Sequence, residues 1–376
     1  EASSTFGTLV LTGANVAVTE NAATDLGAST VSGTFGITSG GAITDSGTLA
    51  ITGDATFTNT SGSNDAITLD DAGNAFAGTV TFATDSGSAV TIVDTTALDL
   101  KALSAVSLSV TAGGAVTDSG TLAITGVTTI NSGSADLTLN EASSTFGTLV
   151  LTGANVAVTD AGAADLGVST VSGTFGITSG GAITDSGTLA VTGDATFTNT
   201  SGSNDAITLD DASNAFAGTV TFATDSGSAV TIVDTTALDL KALSAASLSV
   251  TAGGAVTDSG TLAISGATTL NSGSADLTLD QSGSTFGTLA ITGANVAVTE
   301  NAAMDLGAST ISGTASFNST SNAITDSGTL AITGATTLNS GSADLTLDDA
   351  ASTFGALAIT GANVAVTENA AMDLGA

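Results

Sequence analysis

The chain has 376 residues, 35 carboxylates against two lysines (Lys101 and Lys241), and a formal charge of −33, which argues against nucleic acid and anionic lipid as partners and makes metal cations the natural counterions. With no histidine, cysteine or arginine, the usual nucleophile–base pairs, thiolate metal sites and anion clamps are excluded. Apolar residues are 42% of the chain and mean hydropathy is +0.44, so there is enough material to bury and disorder is the weaker reading.

The opening run Glu1-Ala2-Ser3-Ser4-Thr5-Phe6-Gly7 recurs at Glu141 to Gly147, and the closing run Met372 to Ala376 matches Met304 to Ala308. The expectation is a segment of a longer repeat protein, with any leader lying upstream. No apolar stretch is long enough to span a membrane as a helix.

Residues 1–140 and 141–280 align without gaps and differ at twelve positions, among them Ile51 against Val191 and Gly73 against Ser213. A unit 281–348 and a partial one, 349–376, follow. Within these blocks a shorter unit is marked by a β-branched residue or leucine, then threonine, then an acid. Its threonines are Thr19, Thr44, Thr68, Thr91, Thr117, Thr138, Thr159, Thr184, Thr208, Thr231, Thr257, Thr278, Thr299, Thr325, Thr346 and Thr367. The shortest interval is that from Thr117 to Thr138, and the longest that from Thr91 to Thr117. Six such intervals fill one block. The run Ser284-Thr285-Phe286-Gly287 returns early, at Ser352-Thr353-Phe354-Gly355, which reads as the loss of three short units. Such loss is tolerable only where each unit contacts mainly its neighbours, as in a solenoid.

Taken along the chain, short runs alternate apolar and polar: Thr48 to Thr52, Thr79 to Phe82, Ser107 to Val110, Asp136 to Asn140. A period of two buries one face of a strand. Between the runs lie Ser-Gly, Gly-Gly and Asn-Thr-Ser-Gly-Ser clusters, which favour turns. Ala115 to Ala135 then reads as one coil of three strands and three turns. The predicted fold is all-β: one continuous parallel β-helix (β-solenoid) over 1–376, about 16 rungs of roughly 21–26 residues with three short strands each. A β-sandwich array fits less well, because each such domain needs about 100 residues. Leu, Ile and Val are expected to stack on like residues, with phenylalanines filling wide corners and Phe6, Phe146, Phe286 and Phe354 equivalent.

The runs Gly13-Ala14-Asn15-Val16-Ala17-Val18-Thr19, Asp25 to Gly33 and Gly40 to Gly47 resemble bacterial β-strand-repeat exoproteins of the filamentous-haemagglutinin type, the secreted type V adhesins. The resemblance covers essentially the whole chain. It implies a right-handed β-helix, exported through an outer-membrane pore and displayed as an adhesin, biofilm component or fibre.

Every rung carries an acid after its threonine: Glu20, Asp45, Asp70, Asp94, Asp118, Glu141, Asp160, Asp185, Asp210, Asp234, Asp258, Asp280, Glu300, Asp326, Asp348 and Glu368. Carboxylates about 5 Å apart repel by about 1 kcal/mol in water. Calcium could bridge them, with Asp45, Asp70, Asp71, Asp94, Asp118, Asp185, Asp210, Asp211, Asp234, Asp258, Asp326, Asp348 and Asp349 as its ligands. The alternative is that these acids cap turns, as Asp-Ser-Gly commonly does. The pairs Asp70-Asp71, Asp210-Asp211 and Asp348-Asp349 recur with the repeat and have no cation to hold a substrate, so no enzyme is expected. An ice-binding face is not favoured either, since paired threonines such as Thr128-Thr129 do not recur in every rung. The leading expectation is a structural extracellular or cell-surface fibre segment that self-associates end to end or laterally. A ligand-binding adhesin, for a surface or glycan, and a calcium-dependent surface-layer-like protein are the alternatives.

Overall fold

The computed structural model describes residues 4–375. Their regular structure is entirely β, 51 short strands from Thr8–Leu9 to Asp373–Leu374, and no helix is long and apolar enough to cross a membrane. The chain divides into two compact units at Gly181/Ala182. Each is a parallel β-solenoid, with about 18 turns in all.

Strands form where apolar and small polar residues alternate, and the alternation sets which side faces in. Phe35–Ser39 buries Phe35, Ile37 and Ser39 while Gly36 and Thr38 point outward. In the first unit one long face stacks Thr24–Leu26, Ile43–Asp45, Ile67–Leu69, Ala89–Asp94, Ser107–Ala112, Val127–Asn131 and Thr148–Gly153. The opposite face stacks Val16–Glu20, Phe35–Ser39, Ala55–Asn59, Thr79–Ala83, Leu98–Leu100, Val116–Asp118, Leu137–Leu139, Val156–Asp160 and Phe175–Ser179. Short strands such as Ser29–Val31 and Leu49–Ile51 close the coil between them.

One inward column on the first face runs Thr24, Ile43, Ile67, Val90, Leu108, Thr128 and Leu149, and the next coil returns to this face at Ala164–Leu166. Seven coils, not six, therefore separate Thr24–Leu26 from its counterpart Ala164–Leu166. A coil is one seventh of the block and is shorter than the threonine spacing predicts. The threonine marker undercounts because the coil spanning Thr24–Leu26 to Phe35–Ser39 carries none. The coil expected at Ala115 to Ala135 is present, as Val116–Asp118, Leu122–Ile124 and Val127–Asn131.

The run Thr-Asp-Ser-Gly-Thr-Leu-Ala-Ile occurs at 44–51 and again at 117–124, close to half a block later. Its first strand, Ile43–Asp45, lies on the first face, and its second copy, Val116–Asp118, lies on the opposite one. Three full coils separate Ile43–Asp45 from Ser107–Ala112, and half a coil more reaches Val116. The long block is thus two related halves of three and a half coils each. The same half-turn explains the early return of Phe286 at Phe354 in the second unit. There Ala267–Asn271 lies on the first face, whereas its counterpart Thr336–Asn339 pairs with Ala315–Asn318 on the opposite face. What separates the third stretch from the first two is a half-block, not three whole coils.

The core holds like on like, as Ile43 on Ile67 and Val116 on Leu137. At one corner successive glycines allow backbone to touch backbone. A Cβ built on Gly53 would lie 2.6 Å from the Gly33 carbonyl carbon, and one on Gly78 would lie 2.5 Å from that of Gly53. Phenylalanines cluster in consecutive coils: Phe57 meets Phe35 and Phe76 edge-on at 5.8 and 6.1 Å and stacks on Phe82 at 5.8 Å. Phe57 is fully buried, so Phe57→Ala opens a cavity that neighbouring coils cannot collapse into. A loss of about 3–5 kcal/mol is expected, read as a lowered urea midpoint of the full chain.

Candidate functional site

The acids and turns of successive coils combine into a recurrent clasp. In the first unit the turn Asp71-Ala72-Gly73-Asn74-Ala75-Phe76 closes on itself, with Asn74 N donating to the Asp71 carbonyl at 3.1 Å and Gly73 N to Asp71 Oδ1 at 2.9 Å. Such a turn leaves several N–H groups aimed away from its own chain, and buried donors must find acceptors. The coil below supplies Asp45. Its Oδ1 accepts from Asp70 N at 2.8 Å, and its Oδ2 accepts from Asp71 N at 3.3 Å and Asn74 Nδ2 at 2.6 Å. The coil above supplies Asp94, whose Oδ1 accepts from Phe76 N at 3.3 Å and from the backbone and hydroxyl of Thr96, each at 2.9 Å. Asn74, fully buried, ties downward as well, its Oδ1 accepting from Leu49 N at 2.7 Å.

The pattern recurs through both units. Below the turns stand Asp118, Asp185, Asp258 and Asp326, each taking the N–H of Asn140, Asp210, Asp280 or Asp348 at 2.7 to 2.9 Å. Ser144, Asn214, Ser284 and Ser352 replace or repeat Asn74, accepting from Leu122, Leu189, Leu262 and Leu330 N. Above the turns, Asp160 accepts from Phe146 N, Asp234 from Phe216 N at 3.3 Å, Glu300 from Phe286 N at 2.9 Å and Glu368 from Phe354 N at 3.3 Å. Glu20 likewise takes Phe6 N at 2.7 Å.

Burial sets the electrostatics. Desolvation pushes the Asp45, Asp94, Asp118, Asp160 and Asp234 carboxyls up despite the hydrogen bonds that favour their charged forms. It raises Asp258 to about 6 and Glu300 to about 7. The exposed Asp54 and Asp194 go the other way, held below the ordinary range by the N–H and then the hydroxyl of Thr79 or Thr219, with Lys101 or Lys241 adding less. Beside each lies a shallow hollow of about 320 or 310 Å³, lined in the first unit by Asp54, Thr79, Asp99 and Thr117 and in the second by their counterparts.

The residues singled out as calcium ligands fall into four settings. Asp45, Asp118, Asp185, Asp258 and Asp326 hold turns from below, while Asp94 and Asp234 hold them from above. Asp71, Asp211 and Asp349 lie inside the turns, where the first accepts from Thr48 Oγ1 at 2.9 Å and the others from Thr188 and Thr329 at 3.1 Å. Asp70, Asp210 and Asp348 point to solvent. Among the described residues, no three acids converge into a group that could hold a metal ion. The sixteen threonines do not form one ladder. Thr44, Thr68 and Thr91 stack on the first face, whereas Thr117 and Thr138 stack on the other, because the marker changes face every three and a half coils. Not foreseen from the sequence were the buried Asn74 and its serine counterparts, and Phe76 and Phe216 as equivalents of Phe6. An acid or Gln, two residues, Asn or Ser, one residue, then Phe recurs at 71–76, 141–146, 211–216, 281–286 and 349–354, and that spacing was the available signal.

Five consecutive stretches, 13–83, 87–152, 153–223, 227–292 and 293–361, match the family model described as repeats of unknown function, DUF5649. The chain belongs to this family. Its repeat is the half-block of three and a half coils, and each matched stretch carries one turn-closing phenylalanine. No curated protein and no solved structure matches the chain.

Asp45→Ala would leave two backbone N–H groups and the Asn74 amide without their acceptor, at about 1–3 kcal/mol for each group left buried. A loss of at least about 2 kcal/mol is expected, with Asp45→Asn intermediate because one oxygen acceptor remains; urea midpoints of the three chains decide it. The acids that hold the turns commit oxygens to backbone donors and, among the described residues, no three acids converge, so replacing about 1 mM calcium with a chelator is expected to leave the melting temperature unchanged. A drop of several degrees would support the calcium reading.

Proposed function

We propose that this chain is a structural segment of an extracellular or cell-surface fibre of a secreted bacterial repeat protein, giving length and stiffness to a filament, sheath or biofilm matrix. The observation that carries the reading is the recurrence of the clasp through five family repeats, with no coil among the described residues carrying a long insertion. Ligand-specific work concentrates in a singular site built on irregular loops, whereas a strut needs the same coil-to-coil joint throughout.

The joint suits that task. Parallel strands stacked about 4.8 Å apart place backbone hydrogen bonds along the stacking direction on both long faces. The clasps add charge-assisted bonds at the turns, roughly twice as strong as neutral ones. A pull along the stack within either unit therefore loads many bonds side by side. Outward carboxylates keep such surfaces hydrated. The resemblance to filamentous-haemagglutinin-type exoproteins supports secretion and surface display, with self-association end to end or laterally as the route to longer fibres.

Chains with one or two further family repeats inserted should appear longer in electron micrographs, each repeat adding about 17 Å for three and a half coils. Antibody labelling of intact cells should decorate their surface. Particles whose length does not grow with repeat number, or labelling only after the cells are opened, would sink the reading.

A further inference from the structure

Beyond that strut role, the acids above the turns are in an unusual position. Asp94, Asp160, Asp234 and Glu300 are exposed by 1% or less. In each, one carboxylate oxygen takes the phenylalanine N–H of the coil below, while the other is buried without a hydrogen-bond partner. An ionised carboxylate left half-satisfied in an apolar wall is costly. A protonated one costs less, because a neutral hydroxyl left without an acceptor forfeits one hydrogen bond and not the solvation of a charge.

No cation compensates them. The coil below Asp94 brings Asp70 and Asp71, the strand above it, Ser107–Ala112, brings nothing titratable, and its own coil brings Asp85, Asp99 and, on the opposite face, Lys101. Around Asp234 the set is the same: Asp210, Asp211, Asp225, Asp239 and Lys241, with Ser247–Ala252 above. Asp160 has Glu141 below, uncharged Phe175–Ser179 above and Asp165 beside it. Glu300 has Asp280 below, uncharged Ala315–Asn318 above and Asp305 beside it. The surrounding charge is overwhelmingly of like sign.

We propose that these acids are a proton-uptake device repeated along the solenoid: the coils bind protons at the clasps as they stack, so mild acidification tightens the fold and alkaline conditions loosen it. A carboxyl that binds its proton more tightly in the fold than in the unfolded chain stabilises fully below the unfolded value, near 4. That stabilisation is lost as pH rises through the folded value, which for Glu300 is about 7. Between those limits each such group lowers the folding equilibrium constant about tenfold per pH unit. This is the reverse of ordinary acid denaturation.

The test is urea unfolding of the full chain at pH 5, 6, 7 and 8 in about 1 M salt, where the Debye length is about 3 Å and repulsion between surface carboxylates is screened. The midpoint is expected to fall from pH 5 to about 7, the folded value of Glu300, and to level off towards pH 8. Glu300→Gln, which keeps the acceptor for Phe286 N and removes the charge, should raise the midpoint at pH 8 and remove about one proton from the pH dependence. A midpoint that rises or stays level from pH 5 to 8, or a Glu300→Gln chain with the full wild-type dependence, overturns the proposal. Should Glu300→Gln not fold, the wild-type chain still decides: unfolding at pH 6 in buffers of different ionisation enthalpy must release protons, and zero release overturns it.

Discussion

A single coil of three short strands cannot bury its own apolar side chains or satisfy its own backbone, so everything in this protein depends on in-register stacking of one coil on the next. Parallel pairing supplies the strands with partners, and the inward column from Ile43 to Leu149 shows how little that column tolerates besides Ile, Val and Leu. The exception is Thr128, wholly buried with its hydroxyl unpartnered, which only a β-branched side chain of valine-like shape could manage at modest cost. Turns are the harder problem, because their N–H groups do not belong to a ladder. The protein solves it with carboxylates borrowed from the coils above and below.

The half-integral repeat is a consequence of the same constraint. A repeat of three and a half coils puts each copy of a motif on the face opposite its predecessor. That is workable only if both long faces offer the same environment: similar strand length, alternation and turn chemistry. Ile43–Asp45 and Val116–Asp118 pass that test, since each ends in an aspartate that caps the next coil's turn from below. The two faces are interchangeable by construction, and the glycine corner tolerates either arrangement, with Gly78 against Gly53 in one half-block and Gly147 against Gly126 in the other.

Much of this was legible in the residues. Strict alternation in Thr48 to Thr52 announces a strand with one buried face, and the loss of repeat material without loss of pattern announces a solenoid. The coil length was not, because the threonine marker follows the half-block and skips a coil. A marker that changes face looks like a single ladder until the register is known. The clasp was half legible. Asp-Ser-Gly at Asp45 reads as turn chemistry, which it is, but the turn that its carboxylate holds belongs to the next coil, at Asp70 and Asp71. Sequence spacing does not reveal which carboxylates face inward. Asp70 and Asp94 look alike in composition, yet Asp94 is 1% exposed and Asp70 lies in solvent.

That last contrast explains how a chain with a charge of −33 holds together. Its acids are not one population. Those in solvent repel weakly through water and are screened by salt. Those below the turns are matched by several N–H donors, enough for Asp45 to accept three bonds. Those above the turns at Asp94, Asp160, Asp234 and Glu300 are deeply buried with their bonds on one oxygen and the other left without a partner, and they carry the cost of charge in the fold. A neutral side chain such as glutamine or asparagine could hold the phenylalanine N–H equally well by geometry, so the ionisable groups at Asp94, Asp160, Asp234 and Glu300 make joint strength depend on pH. In a stack where every coil leans on its neighbours, a small change at each clasp acts on every joint at once.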